Sequence, residues 1–144
     1  MIITSRNHDR LFGLIIVAII LGIGHHTDHV IRGNHVGWPL IPIVTPFTYS
    51  LLIYVPILAG LYLYRKRKVG SAYWSVVAGF GAVFVGLTHF GPLPAEPPQD
   101  IIDSYASPVA GWFAFGWLVT FLTVLLSLTV YTAYLWVRER SVPS

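Results

Sequence analysis

Apolar residues fall into four long runs separated by short polar connections. Leu11 to Gly24 is unbroken, and the helical pattern continues through His25 and His29 to about Ile31 before Gly33 and Asn34 end it. Pro46 to Tyr64 follows Thr45, a residue suited to an N-cap, with proline at the first helical position where its missing N–H is harmless. Pro56 predicts a kink in that run. Ser71 to Phe90 forms a third run, and Pro108 to Val137, opened by Ser107, a fourth that is long enough to tilt. A bilayer crossing needs about 20 apolar residues. The pattern therefore predicts an all-α polytopic membrane protein, a single domain over residues 1–144 with a bundle of four spans at 11–31, 46–64, 71–90 and 108–137.

The connections set the orientation. Eight of the nine basic residues lie in three segments: Arg6 and Arg10 before the first span, Arg65 to Lys68 between the second and third, and Arg138 and Arg140 at the end. Basic segments next to spans stay in the cytoplasm, so both termini are expected inside and Arg32 alone outside. Trp38, Tyr73, Trp74, Trp112, Tyr134 and Trp136 lie close to span ends, as interfacial anchors do. No small-x-small cleavage site follows the first run, so it reads as a retained helix. In the third span, Ser71, Ser75 and Gly79 form one stripe of small residues and Ala78, Ala82 and Gly86 another, which predicts close helix approach and a central seat.

Composition agrees that lipid is the solvent: 55% of residues are hydrophobic and only 10% charged, against about 25% charged in soluble domains. The net charge of +3 belongs to the topology signal, not to a nucleic-acid surface. With no cysteine there is no disulfide, thiolate ligand or Fe–S cluster. The expected partners are the lipid bilayer and a second copy or a larger membrane complex, with no nucleic acid.

The chemistry concentrates in His25-His26-Thr27-Asp28-His29, followed by Arg32 and His35. At roughly 100° per residue, His25, His29, Asp28 and Arg32 share a helix face while His26 points elsewhere. Imidazoles one turn apart form a natural chelate, with Asp28 as a further ligand or as a group orienting one. Four alternating spans bring His89, near the end of the third span, to the same outward side, together with Glu96, Asp100 and Asp103. The candidate ligands are therefore His25, His29, His89 and Asp28, with His26, His35, Glu96, Asp100 and Asp103 as possible additions.

Nitrogen and carboxylate donors without sulfur suit a divalent transition metal such as zinc, iron or copper. A b-type haem between His25 or His29 and His89 ranks lower, because the adjacent histidines and acids would be surplus to it. The His25-His26-x-x-His29 box resembles those of the membrane iron oxygenases of the desaturase and alkane-hydroxylase type. Those families carry several such boxes in larger chains, whereas here one box stands with a single distant His89. Gln99 to Ala106 reads as a short interfacial helix over the site or as an ordered loop. No Gly-rich phosphate loop, nucleophile elbow or His-Glu-x-x-His box is present. Three functional readings follow: metal-dependent chemistry on an apolar substrate, an accessory subunit without catalysis, or a histidine collar at the interface that binds nothing.

Overall fold

The computed structural model describes residues 5–33, 50–92 and 94–141, and all regular structure there is helical. Helix α1 spans Ser5–Arg32, a 3₁₀ turn at Leu51–Ile53 leads into α2 (Tyr54–Arg65), and α3 (Ser71–Phe90), α4 (Pro98–Asp103) and α5 (Pro108–Arg140) follow. Helices α1, α3 and α5 are long and apolar enough to cross a membrane, and Leu51–Arg65 is a shorter apolar helix. The chain is an all-α membrane bundle. His35, Trp38 and residues 46–49 of the expected second span lie outside the described residues.

Local chemistry sets the helix ends. Gly33, at φ 64°, closes α1 by donating its N–H to the His29 carbonyl, the left-handed cap that glycine adopts without strain. The turn after α2 is a complete Schellman motif: Lys68 N–H donates to Leu63 O and Arg67 N–H to Tyr64 O. Arg67 itself occupies the left-handed position at φ 56°. Pro56 causes no break inside a longer helix. The chain passes from the 3₁₀ turn into α2 at Tyr54, so Pro56 lies in the first turn, where no intrahelical N–H is needed.

The core is one seam. Buried positions step by three and four along α1 (Leu11, Ile15, Ala18, Gly22, His25, His29) and along α5 (Gly111, Ala114, Leu118, Phe121, Leu125, Leu128, Thr132, Leu135). Ser71, Trp74, Ala78, Ala82 and His89 complete it on α3. Such alternation is the packing pattern of slightly crossed, left-handed helix bundles. Helix α5 touches α1, α3 and α4 and holds the central seat. The small residues of α3 let the two backbones approach: a Cβ at Gly79 would meet Thr129 Cγ2 at 3.4 Å, and one at Gly81 would meet Leu125 at 3.6 Å. On α1, Gly24 makes room for the Trp117 ring, whose Nε1 donates to Leu21 O at 2.9 Å and fixes the register of α1 against α5. Ile20, Ile23, Val76, Phe80, Val83, Leu126 and Val130 point away from the seam, exposed, as lipid contact requires.

Candidate metal centre

Towards the α1 C-terminus the seam turns polar. His25 and His29 continue the buried positions of α1, and His89 ends those of α3 at the same level, because α1 and α3 run in the same direction. The three histidines are 4%, 8% and 1% exposed, which separates them from solvated side chains at a helix end. Each offers one nitrogen, and the three nitrogens lie within 4.8 Å of one another. His25 and His29 bring their Nε2 atoms to 3.3 Å. The His89 ring lies 5.1 Å from that of His25 and 5.8 Å from that of His29, centroid to centroid. Three buried imidazoles from two helices thus converge on a point that could hold a metal ion.

Glu96 closes the group from the α3–α4 connection. Its own N–H donates to Thr88 O at 3.1 Å, folding the connection back over the end of α3. Its side chain is buried, with Oε2 at 3.4 Å from His29 Nε2 and 3.6 Å from His89 Nδ1. His89 Nδ1 lies 2.8 Å from the Glu96 carbonyl oxygen. A carbonyl only accepts, so Nδ1 carries the proton and the lone pair sits on Nε2. Metal-ligating histidines are oriented in this way, with the second nitrogen donating to an oxygen acceptor.

Behind Glu96 runs a chain of charge. Arg32 Nη1 donates to Glu96 Oε1, Arg32 Nε donates to Asp28 Oδ2 at 2.8 Å, and the Tyr105 hydroxyl donates to Asp28 Oδ1. The Arg32 side chain is fully buried, so its charge is tolerable only because two carboxylates meet it. Burial and the Asp28 hydrogen bond push the Tyr105 hydroxyl up to about 12, so it remains a donor. Helix α4 positions this end: Ile101 is buried against Ala114 and Leu118 of α5, and Gly111 leaves space for the Ile102 carbonyl.

The structure places the other sequence-derived candidates as follows. Asp28 faces Arg32 and Tyr105 and stands outside the imidazole group. His26 bridges to Tyr54 Oη at 2.7 Å and Ser50 Oγ at 3.0 Å, tying α1 to the start of α2. Asp100 and Asp103 are exposed, and Asp103 pairs with Gln99. His35 lies outside the described residues. Pairwise sequence reasoning did not find the parts played by Arg32 and Tyr105. One signal was present: Arg32 is the single basic residue on its side of the predicted topology.

Comparison with protein-family models, curated proteins and solved structures gave no match. The functional reading therefore rests on the donor set. A cavity of about 200 Å³ opens between the imidazoles, Glu96, Thr88 and Phe84. It has room for an ion with one small ligand.

Proposed function

We propose that this protein is an integral membrane metalloprotein in which His25, His29 and His89 hold one divalent transition ion, zinc, iron or copper, beside the buried Glu96. The observation that carries this reading is the convergence of three buried imidazoles, one of them fixed through Nδ1 with its lone pair on Nε2. Three nitrogen donors with a carboxylate alongside form the donor set of metal sites that keep a position open for water or substrate. Metal-dependent Lewis-acid chemistry on an apolar substrate is the activity that fits such a set in a membrane. The donor set favours an ion over a haem, since two axial imidazoles would leave the third buried histidine and Glu96 surplus.

The end bearing Arg10, Arg65 to Lys68, Arg138 and Arg140 faces the cytoplasm together with both termini, and the metal centre faces outward. Reporter fusions at each terminus and at Arg67 test this, and an external signal from any of them contradicts it. The centre is tested by titrating tag-free protein with cobalt(II). Intense visible bands of a four-coordinate ion saturating at one equivalent are expected. A spectrum of hydrated six-coordinate cobalt throughout the titration would overturn the reading.

A further inference from the structure

An apolar cavity of about 550 Å³ runs between α1, α2 and α3 and shares His26, Ser50, Phe84 and Val85 with the space around the imidazoles. Among the described residues its walls are hydrocarbon and aromatic from Ile15 and Trp74 upward, and His26, Ser50 and Tyr54 are hydrogen-bonded together at the other end. From Ile15 to His26 on α1 the distance is roughly 16 Å at 1.5 Å per residue. That is about half of the ~30 Å hydrocarbon thickness, the reach of one leaflet's chain.

Charge indicates what sits at the polar end. A divalent ion and Arg32 together set three positive charges against the carboxylates of Asp28 and Glu96, while ligating imidazoles are neutral. One positive charge is left unbalanced in a buried site, where unbalanced charge is costly. A monoanionic head group neutralises it and a neutral alcohol does not. The 200 Å³ head space suits a carboxylate better than the phosphodiester of a two-chain lipid.

We infer that this groove binds a fatty acid, its carboxylate at the metal and its single chain along α1 and α3, an inference that rests on the metal centre proposed above. The test uses the full-length protein, loaded with zinc in phosphatidylcholine nanodiscs, and palmitic acid carrying a diazirine near its methyl end. Zinc content is read first, and much less than one ion per chain overturns the centre and the inference with it. In the loaded protein, photolabelling is expected at Ile15, Ala18 and Val77, falling at least tenfold when zinc is chelated and competed by palmitate but not by hexadecanol. Val77→Trp, which fills the groove, should abolish labelling while zinc is retained. If that variant fails to fold, the chelation and competition arms on the unmodified chain decide alone. Labelling of a zinc-loaded protein that survives chelation, or that hexadecanol competes as well as palmitate, overturns the inference and leaves the metal centre standing.

Discussion

The two ends of the bundle both bury polar side chains in the same helical seam, yet they are built differently. At the basic end, Ser71 Oγ donates to Glu139 Oε2 at 2.8 Å, and Tyr64 stacks on His8 at 4.5 Å while its hydroxyl donates to the His8 carbonyl. There these two bonds each join one neutral donor to one acceptor across a helix contact, which fastens helix ends together. At the opposite end three nitrogens crowd within 4.8 Å, an acid stands beside them, and a buried arginine holds the acid. Burying polar groups at a bundle end is thus no sign of a site by itself. What distinguishes the second end is three imidazoles converging on one point with an acid beside them and one ring, that of His89, oriented through Nδ1.

The contrast can be broken from either end. Glu96→Ala should have the largest effect on stability, because it removes the acid that meets the Arg32 charge. Loss of one partner of a buried ion pair costs about 3–5 kcal/mol, and the remaining Asp28 contact places this case at the lower limit. Thermal unfolding of the metal-free protein should register that loss, whereas an unchanged transition would mean that Arg32 is adequately served by Asp28. Tyr105→Phe should cost about 1 kcal/mol, the value of one partly exposed hydrogen bond to a carboxylate. Its pH dependence has a definite sign. Because the folded-state hydroxyl is raised to about 12 from its usual value near 10, the contribution is full below about pH 10 and is lost as pH rises through 12. A stability difference between the unmodified chain and the Tyr105→Phe variant that already vanished near neutral pH would contradict this. Glu139→Gln should have the smallest effect, within about 0.5 kcal/mol and with metal content unchanged, since the amide oxygen still accepts from Ser71. A loss of metal on that substitution would show the two ends to be coupled.

How much of this was legible in the sequence follows from the range of each signal. Helical period alone places His25, His29 and Arg32 on one face, and the alternation of spans brings His89 to their level, so the three imidazoles could be named in advance. Asp28 shared that side in projection, but its short side chain pairs with Arg32 one turn on instead of joining the imidazoles. Glu96 could be named only as one acid among several, because its approach depends on the connection folding back through a single N–H bond to Thr88. The central position of α5 was hidden for a related reason: small residues mark where backbones approach, not which of the two partners lies in the middle. Pro56 was expected to kink a span, and the 3₁₀ turn before it resolves the same steric conflict at a helix start.

Whether one metal is held jointly by α1 and α3 is decided by the metal stoichiometry of the tag-free His89→Ala protein. About one equivalent of zinc is expected for the unmodified chain and at least tenfold weaker retention for His89→Ala, with helicity preserved. His26→Ala should keep its metal, since that ring binds Tyr54 and Ser50. Full metal retention by a folded His89→Ala protein would contradict the two-helix centre.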